Sequence, residues 1–238
     1  MSRPMAMVMA APGTNRDHDV AFALDLAGAE TRTALLADLA AAPEQLQRAR
    51  LLVIAGGFSY ADALGAGRMW ALELEHRLGD ALRAFVAAGR PVVGICNGFQ
   101  VLTQAGLLPG SLGHNASGHF QCEWVTMLAD RGSRCIWTRD VDTIHCPIAH
   151  GEGRFVHADT TALAAAGQVA LTYSSGGNPN GSAADIAGVC DETGLVLGLM
   201  PHPENHVVAR QHPQFTRGIG GRSGLCLFEQ GVRYAEEH

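Results

Sequence analysis

Apolar positions along the chain come in two rhythms. Short apolar and β-branched runs mark strands at Ala6 to Ala10, Thr31 to Leu36, Leu51 to Ala55 and Val92 to Ile95. Between them lie stretches with helical spacing. Asp17 to Ala27 puts Val20, Ala23, Leu24 and Ala27 on one side, and a further helix falls between Gly67 and Ala88, with Gly79 as a candidate break. From Gly98 onward Phe99, Val101, Leu102 and Ala105 repeat at helical intervals. Such alternation predicts an α/β fold, a doubly wound, mostly parallel sheet with helices on both faces. Ligands of such sheets bind beyond the carboxyl ends of the strands. Ala55 to Phe58, Cys96 and His202 all fall at such ends.

The rhythm changes from about Phe120 to Val156. Phe120 to Met127 and Thr143 to Ile148 are short apolar segments without long helices between them, so antiparallel strands flanking the main sheet are expected there. The chain then returns to helix (Thr160 to Ala166), strand (Val169 to Tyr173) and a Gly/Pro/Asn-rich loop (Ser174 to Ser182). Two strands follow, Ile186 to Cys190 and Leu195 to Met200, joined by a hairpin turn at Asp191 to Gly194. A helix from Ser223 to Glu236 ends the pattern. With no internal repeat or interdomain linker, residues 1–238 read as one domain, long enough for one sizeable core.

Composition narrows the class. At 47% hydrophobic the chain is too apolar for disorder, and a formal charge of −6 argues against a nucleic-acid surface. No basic block suggests an anionic membrane, and no apolar stretch approaches the ~20 residues of a membrane span. Met1 to Ala11 resembles a leader in outline, with Arg3 before a short apolar run. Pro12-Gly13-Thr14-Asn15 follows as a strand-to-helix turn, so the run reads as the first core strand. The six cysteines, at 96, 122, 135, 146, 190 and 226, show neither C-x-x-C nor a Cys/His ligand spacing. No metal site and no disulfide framework is expected, and free thiols suit a reducing cytoplasm.

Cys96 stands between Gly94 and Gly98, after a strand and before a helix. A cysteine in an α/β core is ordinarily buried and inert. Here the glycine-flanked strand-to-helix turn is the thiol counterpart of a nucleophile elbow. The helix start would set backbone N–H groups beside the sulfur, which favours the reactive thiolate. A thiol nucleophile needs a base, and Pro201-His202-Pro203-Glu204 supplies one just past a buried strand. In an extended segment His202 and Glu204, two residues apart, point the same way, so the carboxylate can orient the imidazole as triads do.

These motifs carry a resemblance. G-x-C-x-G-x-Q followed far downstream by P-H-P-E resembles the class I, triad-type glutamine amidotransferases. Five runs occur in order: Gly56 to Tyr60, Gly94 to Gln100, Ile148 to Arg154, Asn178 to Ser182 and Gly198 to Glu204. Together they resemble the glutaminase-subunit family of phosphoribosylformylglycinamidine synthases of purine biosynthesis, over nearly the whole chain. Asn97 and Phe99 discriminate, since relatives serving other synthases usually carry Leu at the first and His or Met at the second.

The resemblance implies a flavodoxin-like fold and hydrolysis of L-glutamine through a glutamyl thioester. Cys96 would be the nucleophile, His202 the base and Glu204 its orienting carboxylate. The N–H groups of Gly57 and Asn97 would form the oxyanion hole, with Gln100 and Gly151 holding the substrate. His150 and Arg154, in the glycine-interleaved run with Glu152, are candidates for substrate contact, the ammonia exit or partner docking, against a plain solvated loop. Asn178 to Ser182 has the same status, while His114, His119, His145 and His157 read as structural or exposed. No cofactor is expected in this chain. No G-x-x-x-x-G-K-[ST] loop is present, so ATP and magnesium would belong to a separate large synthetase subunit. The resemblance implies that synthetase, together with a small accessory subunit, for partners.

The chain also departs from the family pattern. Ala55 stands where proline is common, Ala61 where glycine is common, and Asn205-His206 where arginine is common. The loop Val207 to Gly221, with Arg210, His212 and Arg217 and followed by Arg222, is longer than in compact members. Rival readings are an ammonia donor for another synthase, a flavodoxin-like cysteine hydrolase, and a catalytically silent regulatory subunit. The intact Cys, His and Glu speak against the last.

Overall fold

The structure, a computed structural model, describes residues 3–238; Met1 and Ser2 of the apolar opening lie outside the described residues. Strands β1 (Met5–Ala10), β2 (Glu30–Leu35), β3 (Leu51–Ile54) and β4 (Val92–Ile95) alternate with helices α1 (Asp17–Leu26), α2 (Leu36–Ala41), α3 (Glu44–Arg48), α4 (Arg68–Ala87) and α5 (Asn97–Gln104). The second half contains β5 (Ser111–Gly113), β6 (Gln121–Ala129), β7 (Thr143–His150), β8 (Arg154–Val156), α6 (Thr160–Ala165), β9 (Val169–Tyr173), β10 (Ile186–Cys190), β11 (Val196–Leu199) and α7 (Leu225–Glu237).

One nine-stranded sheet has the order β2-β1-β3-β4-β11-β10-β9-β6-β7. Every pairing from β2 through β11 is parallel, and every pairing from β11 to β7 is antiparallel. The antiparallel strands therefore extend the main sheet, because β11 offers β10 an edge that a two-strand hairpin can take. A small antiparallel pair, β5 with β8, stands apart. β3, β4 and β11 are buried at every position, as strands covered on both faces must be. The helices fall into two groups, α1 with α7 and α4 with α2 and α5, and a doubly wound sheet carries one group on each face.

One expectation needs correction, and two short helices carry no expectation at all. Gly79 does not break α4, which runs unbroken through it. A Cβ there would meet only the tips of Glu75 and Arg83, whose ion pair spans the position. The short α2, anchored by buried Leu36 and Leu39, and α3, anchored by buried Leu46, escape periodicity because neither completes two turns. Among the described residues, no helix is long and apolar enough to cross a membrane.

Candidate active site

Cys96 lies between β4 and α5 with φ +51° and ψ −105°. A non-glycine residue held in such a region costs about 1–3 kcal/mol and persists only when its surroundings over-determine it. The surroundings are the flanking glycines, neither of which has positive φ. A Cβ on Gly98 would lie 2.1 Å from the Ile54 carbonyl, and one on Gly94 would lie 2.5 Å from the Gly98 carbonyl. The glycines thus let α5 sit directly on β3 and β4, and the cysteine itself takes the strained turn. Its amide donates to the Leu199 carbonyl at 2.8 Å, tying the elbow to the end of β11.

That end leads to His202. The His202 amide donates to the Pro147 carbonyl at 2.8 Å, so the segment crosses to β7. Residues Pro203–His206 then form a short 3-10 turn rather than an extended segment. The turn, not strand alternation, brings Glu204 Oε1 to 2.7 Å from His202 Nδ1. Both side chains are buried. Burial alone pushes His202 toward its neutral form, but the charge of Glu204, then that of Cys96, outweighs this and lifts the imidazole to about 10. Gly56 separates His202 from Cys96. A Cβ there would lie 3.0 Å from His202 Cε1 and 3.4 Å from Cys96 Cβ, so the two side chains are neighbours across a position that only glycine leaves open.

Cys96 opens into a cavity of about 140 Å³ lined by Gly57, Phe58, Asp62, Gln100, Phe120 and residues 149–152, among others. A wider cleft of about 670 Å³ beside Leu108, His157 and Gln168 holds none of the triad groups. Gly57 has φ +144°, and a Cβ would lie 2.7 Å from the Asn15 amide, so this loop requires glycine. Among the described residues the Gly57 and Asn97 N–H groups have no intramolecular acceptor, as two oxyanion donors require. The Asn97 side chain accepts from Ser59 N–H at 3.3 Å and donates to Gln100 Oε1 at 2.9 Å, fixing the loop against α5.

Gln100 lines the cavity, yet its amide is spent on structure, donating to the Glu152 carbonyl at 2.6 Å. Gly151 is in the wall, and its carbonyl accepts from Asn115 N–H. His150 is buried in the wall, while Arg154 is exposed and donates to the Gly181 carbonyl at 3.2 Å. Phe58 belongs to the Gly56 to Tyr60 run, whereas Asp62 and Phe120 join the wall with no sequence signal of their own. The two phenylalanines approach to 6.2 Å between centroids at the mouth, both partly exposed. Burial, then the charge of Glu152, raises the Asp62 carboxyl above its ordinary range.

The departures have local explanations. Ala55 N–H donates to the Met9 carbonyl at 3.2 Å, a bond that proline would lack. Ala61 has φ +53°, so the alanine bears a left-handed conformation that glycine would adopt freely. Asn205 donates to Asp19 Oδ2 at 2.9 Å. His206 and His212 pack with His145 against Trp124, at 5.1–5.2 Å between the tryptophan and each histidine ring, which fastens the long loop to β6 and β7.

Residues 3–235 match the CobB/CobQ-like glutamine amidotransferase domain. The chain is 46% identical to phosphoribosylformylglycinamidine synthase subunit PurQ of Treponema denticola, with 98% of this chain and 99% of that protein covered. It is 42% identical to the PurQ subunit of Lacticaseibacillus casei, with 97% and 96% covered. Among solved structures, a chain of PurLQS from Thermotoga maritima superposes with a TM-score of 0.81 at 35% identity, covering 98% of this chain and 99% of that one. A glutamine amidotransferase from Thermotoga maritima superposes at 0.55 with 15% identity, covering 92% of this chain and 83% of that one, and so shares the fold.

Proposed function

The chain belongs to the CobB/CobQ-like glutamine amidotransferase family, and from that membership we propose that it is the glutamine-hydrolysing subunit of a phosphoribosylformylglycinamidine synthase in purine biosynthesis. Full-length identity of 46% to a subunit of that name carries the reading. The meeting of Cys96, His202 and Glu204 at the mouths of β4 and β11 supports the chemistry. Residues 1–238 would act as one glutaminase domain.

Cys96 Sγ attacks the side-chain carbonyl carbon of L-glutamine, forming a C–S bond. The oxygen takes up negative charge between the Gly57 and Asn97 N–H groups, preset for it and free of other acceptors. Glu204 holds the His202 ring charged near neutrality, so the proton needed by the leaving nitrogen is already on the base. His202 delivers it, the C–N bond breaks, and ammonia departs, leaving a thioester. Water then loses a proton to the now neutral His202 and attacks the thioester; the C–S bond breaks, glutamate leaves, and the site returns to a thiolate beside a charged imidazole. Ammonia passes to a separate synthetase, where ATP and magnesium drive the amination.

The test is steady-state glutamate release by the purified chain, alone and with the synthetase, ATP and formylglycinamide ribonucleotide. Glutamine-dependent amination that needs both chains is expected. Amination at full rate without this chain, with glutamine as the nitrogen source, would overturn the assignment.

A further inference from the structure

The run Gly56 to Tyr60 gives the cavity Gly57 and Phe58, but its last residue, Tyr60, has no part in the triad chemistry. Tyr60 instead opens an unusual turn. Tyr60, Ala61 and Asp62 have φ of +53°, +53° and +51° in succession, a left-handed turn made without glycine. In that conformation each Cβ crowds the following carbonyl oxygen, so the turn persists only when other contacts hold it.

Backbone groups tie the start of the turn to the loop after β1. Phe58 N–H donates to the Gly13 carbonyl at 3.1 Å, and Tyr60 N–H donates to the Pro12 carbonyl at 2.7 Å. Ala61 N–H donates to the Phe58 carbonyl at 2.9 Å, which links the turn to the wall residue itself. Asn97, next to Cys96, accepts from Ser59 N–H at 3.3 Å and donates to Asp62 Oδ1 at 3.4 Å. A side chain ties the turn to α4: the Tyr60 hydroxyl donates to Glu73 Oε2. Glu73 Oε1 in turn accepts from Arg77 Nη1 at 2.7 Å, one helical turn further on. Burial, then Glu73, pushes the Tyr60 phenol up to about 12, so it keeps its proton. The Tyr60 hydrogen bond, helped by Arg77 and opposed by burial, holds the Glu73 carboxyl below its ordinary range, so it is charged. A hydroxyl donating to a charged carboxylate is among the stronger hydrogen bonds.

Resting on the glutaminase reading, we propose that Tyr60 and Glu73 are positioning residues, whose hydrogen bond latches the left-handed turn onto α4 and so keeps the Gly57 N–H in place for the reaction at Cys96. The latch acts through the loop. If residues 60–62 relax toward the ordinary right-handed form, the Ala61 N–H turns away from the Phe58 carbonyl, and the Gly57-Phe58 segment loses that tie. A loosened oxyanion donor weakens the transition state more than substrate binding, because the negative oxygen exists only during the reaction. Ala61 sets how much the latch must oppose. Glycine adopts positive φ without a Cβ penalty, so a chain with glycine there depends less on Tyr60 and Glu73. No bond or proton changes at Tyr60.

Amide hydrogen exchange on the full chain and kinetics of the assembled synthase test this together. Tyr60→Phe keeps the ring and removes only the hydroxyl. Exchange of the bonded amides at residues 58–61 should quicken in this variant, while the rest of the chain keeps its protection. Glutamine-dependent kcat should fall about tenfold with the glutamine KM little changed, and synthesis from added ammonia should be unchanged. Glu73→Ala should match Tyr60→Phe, and Glu73→Gln, which keeps an acceptor, should lose less. Adding Ala61→Gly to Tyr60→Phe should restore both the protection and most of the kcat, a rescue that a tyrosine serving only to pack would not show. Wild-type kcat in Tyr60→Phe overturns the proposal, whether or not exchange quickens. A lowered kcat that Ala61→Gly fails to restore overturns it as well. Absence of glutamine hydrolysis in the wild-type assembly refutes the glutaminase reading and the catalytic role with it. Exchange needs no turnover, so unchanged exchange in both Tyr60→Phe and Glu73→Ala refutes the latch alone.

Discussion

At the scale of single residues, the triad should behave as one unit. Cys96→Ala is expected to lower glutamine-dependent synthesis by on the order of 10³-fold or more, with His202→Ala nearly as damaging and the double variant little worse than either. Additive losses in the same assay would show that the two side chains serve different steps. The raised His202 value also makes a stability prediction. The folded value, about 10, lies above the ordinary 6.5, so between them the folded chain holds a proton that the unfolded chain releases. The contribution of this group is complete below about 6.5 and is lost as pH rises through about 10. Urea midpoints measured across that window should fall more steeply for wild type than for His202→Asn. Parallel slopes would place the proton elsewhere.

At the scale of elements, glycines separate into those that hold the site and those that do not. Gly98 presses on the Ile54 carbonyl, which is backbone and cannot step aside, so Gly98→Ala should push α5 off β3. Overpacking of this kind costs about 1–3 kcal/mol, and calorimetry should show it together with lost glutaminase activity. Gly79 gives the opposite expectation. It lies mid-helix, and its neighbours are the movable tips of Glu75 and Arg83. Gly79→Ala should therefore stabilise the chain by about 0.5–1 kcal/mol through helix propensity, since the exposed ion pair it disturbs is worth little. A lower melting temperature for Gly79→Ala would show that the ion pair matters more than the propensity.

At the scale of the whole molecule, Cys96 and His202 come from strands far apart in sequence that lie side by side in the sheet. β4 delivers Cys96 and the parallel β11 delivers His202, while β7 and the loop after it supply the far wall. The mouth, flanked by the partly exposed Phe58 and Phe120, and the exposed Arg154 near the 174–182 loop give a docked synthetase access to the wall. The free chain is expected to be a weak glutaminase that the synthetase and its nucleotide substrate activate; tenfold activation needs only about 1.4 kcal/mol of preferential binding to the competent form. Titrating the purified chain with synthetase, while measuring glutamate release, reads this directly. Full activity in the isolated chain would remove the gate and leave the triad standing.

The chain order of elements was legible in the sequence because burial on both faces leaves β1, β3, β4 and β11 as unbroken apolar runs. The elbow and the P-H-P-E run were legible because their chemistry is local: glycines beside a cysteine, prolines beside a histidine. Elements too short for a period, such as α2 and α3, left no such trace. What the sequence could not show was which distant groups meet. Asn115 orients His150 from 35 positions away, and Asp62 and Phe120 join the cavity wall from loops with no common pattern. Even His202 and Glu204, close in sequence and correctly paired, meet through a 3-10 turn that strand alternation does not describe. Periodicity records which side of an element is buried. The partner on the other side of the gap is decided by register and packing, which exist only once the strands have come together.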